Sequence, residues 1–471
     1  MAGFVGRRAQ LLTLNQSLQR VTTSPDKPGE TLFIRGRRRI GKSRLVQEFL
    51  NQAGVPYLFF TASTRTTTEE LELFSQEVGL SNLPGKLVFE DTKPGTWESA
   101  LRLFMSTLPT SGPAILVIDE LPYLTASDPG FDGTLQKMFD GFFSDRRLLF
   151  IGIGSDLAMM EALTTHDKPF FGRAKEMVVP ALSPAEVGQM LELSAADSFD
   201  AYLITGGLPL ICNEWRKGDS MAQFLENSLN DQTSALIVNG ERALSAEFPS
   251  PTEARDVLMA IGGTGARTFS KIIRASGKLN DAAVNRSLVA LQQKRIVQSE
   301  LPLSTKKSVE RRYWISDPHL KFWLAFVGNH LDEVERGRAD RLLERIHASW
   351  PSWRGMTIEP TIRESIARLP VDKRPHPTGV IGGFWTRTNV PEIDLVVADK
   401  SPVARSIFAL GSIKWKENAP FDTRDYGDLV KHRLLLPGAS DETPLIVVSR
   451  SGCSVQGVRV YDPEELISAW R

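Results

Sequence analysis

Through the first third of the chain, short runs of β-branched and aliphatic residues alternate with longer stretches whose apolar positions recur every three or four residues. That alternation predicts a parallel α/β sheet. Strands are expected at Thr31–Arg35, Pro56–Thr61, Ala114–Asp119, Leu148–Gly152 and Glu176–Val179, and Leu11, Leu12, Leu14, Leu18 and Val21 mark a helix ahead of the first. From Ser183 to Phe248 the spacing is helical, interrupted at Gly206-Gly207-Leu208-Pro209, and Pro249 and Pro251 mark a linker. Three short helices follow at Glu253–Ile261, Phe269–Ser276 and Asp281–Lys294. Gly277 gives the last two a helix-turn-helix spacing. A hairpin comes next, Ile296–Leu303 against Arg311–Ile315, which completes the pattern of a winged helix. Beyond a helical connection near Leu320–Leu343, strands are expected at Val380–Trp385, Ile393–Val397, Ile407–Trp415 and Leu445–Val448, with a helix at Arg424–Leu435. This is a small second α/β domain.

Composition narrows the classes without choosing among them. The 471 residues suggest about three domains. Fifty-six basic residues balance 56 acidic ones, which excludes a polycationic coat but leaves room for local basic patches. Two cysteines, Cys212 and Cys453, are too few for a disulfide framework or a four-cysteine zinc site. The start of the chain has no apolar signal core, and its longest apolar runs are far below the ~20 residues of a membrane span. A soluble, reducing, cytoplasmic setting is expected.

The chemistry is concentrated in two motifs. Gly36-Arg37-Arg38-Arg39-Ile40-Gly41-Lys42-Ser43 matches GxxxxGK[ST] between an expected strand and an expected helix. In such a loop, backbone N–H groups and the helix N-terminus face phosphate, the lysine reaches the β/γ oxygens and the hydroxyl holds Mg²⁺. Gly36 to Ser43, with Arg44 behind them, are the expected ATP contacts. The three arginines either meet phosphate or a neighbouring subunit, or lie solvated in the loop. The apolar strand Ala114–Ile118 ends in Asp119 and Glu120. Asp119 belongs beside the Mg²⁺, and Glu120 is placed to activate water. After the next strand, Ser155 is either a sensor of the γ-phosphate or a turn serine. Arg173 is either an arginine finger or a surface arginine.

Phe4-Val5-Gly6-Arg7, the phosphate loop, Leu116-Val117-Ile118-Asp119-Glu120, Phe170-Phe171-Gly172-Arg173 and Gly207-Leu208-Pro209 together resemble the archaeal-type P-loop ATPases of the AAA+/STAND group. Arg312-Tyr313-Trp314-Ile315-Ser316-Asp317-Pro318-His319 looks like that family's junction after its winged helix. Glu392-Ile393-Asp394 and Gly411-Ser412-Ile413-Lys414 look like its C-terminal domain, related to PD-(D/E)xK restriction-endonuclease-like folds. The resemblance implies a P-loop ATPase core over 1–182, a helical lid over 183–248, a winged helix over 249–327 and a PD-(D/E)xK-like domain over 328–471. It implies that Val5, Gly6 and Arg7 border the adenine pocket and that Pro209 faces the nucleotide. Arg8 stands where many relatives have Glu.

For the winged helix, Asn285 and Arg286 are candidate groove contacts, and Lys306, Lys307, Arg311 and Arg312 candidate phosphate contacts. An internal structural role for this module stays open beside DNA binding. A PD-(D/E)xK centre needs an Asp, a second acid two residues before a Lys, and often a helical Glu. Asp394, Lys414 and Glu359 fit, but residue 412 is Ser, which points to a degenerate site unless Glu392 supplies the missing carboxylate. The expected function is an ATP-hydrolysing switch that couples nucleotide state to the winged helix and the C-terminal domain on DNA. The alternatives are an active ATP-dependent nuclease and a low-turnover scaffold for protein assembly. A homo-oligomer or a protein partner is compatible with each.

Overall fold

The computed structural model describes residues 4–471 except 27, 155–159, 161–173, 249–251 and 278. The chain forms two compact units, Met1–Ala181 and Leu182–Arg471.

The first unit is built on a five-stranded sheet: β1 (Glu30–Arg35), β2 (Tyr57–Thr61), β3 (Ala114–Asp119), β4 (Leu148–Gly154) and β5 (Lys175–Val178). The spatial order is β2-β3-β4-β1-β5, with every pairing parallel. Every residue of β3 and β4 is buried, as befits central parallel strands covered on both faces. β4 lies between the two strands that carry the motifs. Helix α1 (Arg8–Thr23) precedes β1 and α2 (Lys42–Ala53) follows it. One face of the sheet packs Phe60 against Phe74 at 5.3 Å between ring centroids, and Trp97 against Phe131 at the same separation, both edge-to-face. Such fully buried aromatic side chains contribute roughly 2–3 kcal/mol each. The helices that deliver them start sharply: Thr66 and Glu69 form a capping box at Thr67–Leu80, and Thr96 and Ser99 form one at Trp97–Thr107.

The second unit begins with helices Pro184–Leu191 and Ala195–Thr205 and a short turn of helix at Pro209–Cys212. The helices Glu253–Ile261, Phe269–Ser276 and Asp281–Gln293 then stand with a small antiparallel sheet of β6 (Arg267–Thr268), β7 (Val297–Glu300) and β8 (Arg312–Ile315), in the order β6-β8-β7. The hairpin is shorter than its apolar pattern suggested, and β6 is an unexpected third strand. A 30-residue helix, Ala339–Arg368, follows. The helical connection expected near Leu320–Leu343 thus runs on through Pro351 and Pro360.

A mixed sheet closes the chain: β9 (Val380–Trp385), β10 (Glu392–Ala398), β11 (Ile407–Lys414), β12 (Leu445–Ser449) and β13 (Arg459–Tyr461), ordered β13-β12-β11-β10-β9. β10 is antiparallel to both its neighbours, whereas β11, β12 and β13 run parallel. The loop after β7 is built into this sheet. Leu303 is fully buried in its core, its N–H donates to Gly383 O at 2.8 Å, and Ser304 bridges Val403. No described helix is long and apolar enough to cross a membrane.

Candidate nucleotide site and the C-terminal acidic cluster

β1 runs into the phosphate loop and α2 leaves it, so the loop must turn sharply between them. Gly41 takes the left-handed φ of 86° that a side chain would disfavour. Gly36 is required for another reason: a Cβ there would lie 2.5 Å from Val179 O, in the backbone just after β5. Lys42 is buried, and its Nζ donates to Gly36 O at 2.9 Å and Arg37 O at 3.0 Å. Burial holds its pKa below the usual lysine value, Glu120 and Asp119 act against that shift, and Arg38 adds to it. Arg38, Arg39 and Arg44 are exposed, Ile40 is buried, and Arg37 is half-buried.

The two motifs meet at the C-terminal end of the parallel sheet. The Ser43 side chain lies beside the buried Asp119 carboxylate. Burial pushes the Asp119 pKa up, and the neighbouring Ser43 hydroxyl and Lys42 partly offset the rise. A hydroxyl and a carboxylate side by side are hard oxygen donors of the type Mg²⁺ takes. Glu120 follows with φ 54°, a left-handed conformation uncommon for a residue with a side chain, and its N–H donates to Asp119 Oδ1 at 3.0 Å. Lys42, Ser43, Asp119 and Glu120 are therefore gathered at the ends of β1 and β3, on either side of β4.

Val5 and Gly6 are half-buried, while Arg7 is 3% exposed and has a left-handed φ of 60°. Its guanidinium donates to Ile40 O at 2.9 Å and Pro180 O at 2.5 Å. No pattern in the sequence signals that Arg7 grips the phosphate loop itself. Ser155 and Arg173 lie outside the described residues. In the second unit, Pro209 opens the helix Pro209–Cys212 after two left-handed glycines. A Cβ on the second, Gly207, would fall 2.0 Å from Leu182 O.

The C-terminal candidates are close together but differently engaged than expected. Asp394 Oδ2 accepts from Ser412 Oγ at 3.0 Å and from Ile413 N at 2.8 Å. Burial raises its pKa, and those two bonds oppose the rise. The serine at 412 thus satisfies the Asp394 carboxylate. Lys414, expected to serve the same site, is paired with Asp425. Glu392 is paired with Arg312 at 2.6 Å. Glu359 bonds Arg363 at 3.1 Å, yet burial and the neighbouring Asp394 push its pKa up to about 8. Lys321 is buried nearby, and burial pushes it down to about 8 against the pull of Glu359 and Asp317. Among the described residues, no three His, Cys, Asp or Glu side chains are grouped to hold a metal. Arg363 and Lys321 were both missed. Arg363 was within reach, because it stands four residues after Glu359 on one helix.

Of the candidate DNA contacts, Asn285, Arg286, Lys306 and Lys307 are exposed, Arg286 making a long 3.5 Å pair with Glu253. Arg311 Nη1 donates to Ser299 Oγ at 2.9 Å. Arg312, also a candidate phosphate contact, is engaged within the protein. Its guanidinium is 4.4 Å from the Trp385 ring centroid and bonded to Glu392 and Asn389, so it joins the small sheet to the C-terminal one.

Residues 323–425 match the model of a family described as archaeal and bacterial proteins of unknown function, DUF234. An uncharacterized protein of Methanocaldococcus jannaschii is 23% identical over 441 residues, covering 92% of each chain. The Walker-type ATPase of Pyrococcus abyssi aligns over 68% of this chain and 96% of its own, with 18% identity and a TM-score of 0.47. The ORC2 protein of Aeropyrum pernix aligns over 73% of this chain and 95% of its own, with 13% identity and a TM-score of 0.45. In its two Walker motifs and the strand order that brings them together, the first unit is similar to the archaeal-type P-loop ATPases, and residues 323–425 match a family found in archaea and bacteria.

Proposed function

We propose that this protein binds and hydrolyses Mg-ATP, and that it works as a switch whose nucleotide state is passed to a winged helix and a nuclease-like C-terminal domain acting on DNA. The observation that carries the reading is the gathering of Lys42 and Ser43 of the phosphate loop with Asp119 and Glu120 at the ends of β1 and β3, on either side of β4. Bound Mg²⁺ would be held by Ser43 and Asp119 and would neutralise charge on the β- and γ-phosphates. Lys42 exchanges its loop carbonyls for phosphate oxygens. Glu120 orients a water and accepts its proton as the water oxygen bonds to the γ-phosphorus and the bond to the β-phosphate oxygen breaks. Arg37, Arg38, Arg39 and Arg44 remain candidates for phosphate or subunit contact. The adenine assignment of Val5, Gly6 and Arg7 and the lid role of Pro209 rest on the resemblance. DNA contact is supported by the exposed Asn285, Arg286, Lys306 and Lys307.

The C-terminal domain is read as a docking or assembly surface that does not cleave DNA. Asp394 is satisfied by Ser412 and Ile413, and Lys414 by Asp425, so the Asp and Lys expected of a PD-(D/E)xK centre are each engaged with a different partner. The test of the whole reading is ATP turnover with and without duplex and single-stranded DNA, in the parent and in Lys42→Ala. Turnover that is lost in the variant and altered by DNA supports it, and equal turnover in both proteins refutes it. For the C-terminal domain, nuclease activity with Mg²⁺ or Mn²⁺ that disappears in Asp394→Ala but survives Lys42→Ala would overturn the docking reading. Activity gained on Ser412→Glu in a silent parent would locate the lesion at the serine.

A further inference from the structure

The backbone between the two units is held at both ends. On the first unit's side, Val179 N–H donates to Arg35 O at 2.8 Å, and Pro180 O accepts from Arg7 Nη1. The other arm of the same guanidinium takes Ile40 O of the phosphate loop at 2.9 Å. Gly36, at the loop's start, approaches Val179 so closely that a methyl group would not fit. Two covalent steps past Pro180, Leu182 N–H donates to Gly207 O at 2.8 Å, and Leu182 O in turn leaves no space for a side chain on Gly207. Gly206 is equally confined. A Cβ there would lie 2.8 Å from His319 Cβ and 3.2 Å from Asp317 Oδ1, in the segment that leaves β8. His319 is 1% exposed, with Nδ1 within 3.0 Å of Ile204 O.

We propose that Arg7 is a positioning residue that ties the phosphate loop to the hinge at Pro180–Leu182, and that this hinge carries the state of the loop to the Gly206-Gly207 turn and so to His319. A buried guanidinium is suited to the task. Its planar fork fixes two carbonyls in one geometry, and neither can be released without leaving a buried charge short of acceptors. The left-handed backbone of Arg7 is a cost that this placement explains. A displacement of Ile40 on filling of the loop is thereby imposed on Pro180, and Leu182 follows through the chain. The proposal deepens the nucleotide-switch reading and rests on it for its use.

Amide hydrogen exchange on the full chain tests it, with Arg7→Ala and Arg7→Lys compared with the parent and with Arg8→Ala at the exposed neighbouring position. Exchange of β12, deep in the second unit, reports whether each variant remains folded. Without nucleotide, Arg7→Ala is expected to speed exchange of residues 36–43 and of Leu182 at least tenfold, leaving β12 unchanged, with Arg7→Lys intermediate and Arg8→Ala silent. With Mg-ATP, the parent is expected to change protection at 182 and 206–208 as well as in the loop. In Arg7→Ala, at Mg-ATP concentrations that still protect the loop, the response at 182 and 206–208 should be lost. If Leu182 exchanges at the parental rate in nucleotide-free Arg7→Ala, or if the nucleotide response at 206–208 survives that substitution, the proposal is wrong. A parent whose loop shows no response to nucleotide refutes the ATP reading instead. The nucleotide-free arm then still decides whether Arg7 makes the tie.

Discussion

Asp200 offers a stringent test of how the second unit is held together. It lies on the helix Ala195–Thr205 with 5% of its surface exposed. Three groups donate to it: Arg354 Nη1 at 2.7 Å, Arg450 Nη2 at 3.0 Å and Trp415 Nε1 at 3.0 Å. Burial pushes its pKa up, and the two guanidinium groups act against that shift. In Asp200→Ala, Arg354 stays 2% exposed and keeps Glu417, whose side chain is half exposed. Arg450 keeps the exposed Asp197, and the Trp415 N–H loses its partner. Removing one partner of a buried ion pair costs about 3–5 kcal/mol, and an orphaned buried N–H about 1–3, with overlap between the two. A net loss of about 4 kcal/mol, divided by a urea dependence of about 3 kcal/mol/M, lowers the unfolding midpoint by about 1.3 M. Tryptophan fluorescence follows the transition directly, because Trp415 is one of the partners. Asp200→Asn retains an acceptor and should lose about half as much. Adding Arg354→Met to Asp200→Ala should cost less than the sum of the single changes, since it removes the stranded cation. A midpoint shift under about 0.3 M for Asp200→Ala would refute the argument.

Gly36→Ala should lose most nucleotide binding and destabilise the first unit by about 1–3 kcal/mol, because its Cβ meets a backbone oxygen that cannot rotate away; parental binding and melting would contradict this. Glu359 keeps its proton in the folded chain up to about 8, above the ordinary carboxylate value, so its contribution to stability is complete at low pH and falls as pH climbs from about 4.5 to about 8. Glu359→Gln should remove that slope, at most about 1.4 kcal/mol per pH unit, and identical pH profiles for parent and variant would exclude it. Neutralising both Lys306 and Lys307 should weaken DNA binding and flatten its salt dependence by roughly one unit for each phosphate that is no longer neutralised; an unchanged salt slope would remove these lysines from the interface. Arg312→Ala should instead lower thermal stability, since Arg312 is held by Glu392 and Asn389, and a salt-slope change without a stability change would contradict that.

The strands of the first unit were legible to within two residues, whereas its helices between β2 and β4 were not. Ala114–Asp119 is a strand with the expected limits, because an apolar run ending in two carboxylates admits few other readings. Glu253–Ile261 and Phe269–Ser276 likewise keep their expected ends, set by a threonine cap and by Gly262 and Gly277. The long helix Ala339–Arg368 was read only in part, because Pro351 and Pro360 signal breaks that tertiary packing overrides at Trp350, Trp353 and Ile362. Two residues are too short a pattern to announce β6. The order of motifs indicated which residues would gather at the nucleotide site, but not that Arg7 would hold the loop from behind. At the C-terminus, the serine at 412 was visible as a departure. The partners that reorganise the site were not, since Arg312 and Glu392 are 80 positions apart and meet only through the docked hairpin.

The central claim is that Glu120 is the base for water attack in a site assembled by Lys42, Ser43 and Asp119. It is tested most directly by measuring, in Glu120→Gln, the affinity for Mg-ATP and the turnover at saturating nucleotide on the same preparation. An amide can still hydrogen-bond a water but cannot take its proton, so affinity should stay within about threefold of the parent and turnover should fall by about 10²–10⁴-fold. Turnover within about twofold of the parent, at unchanged affinity, would contradict the account.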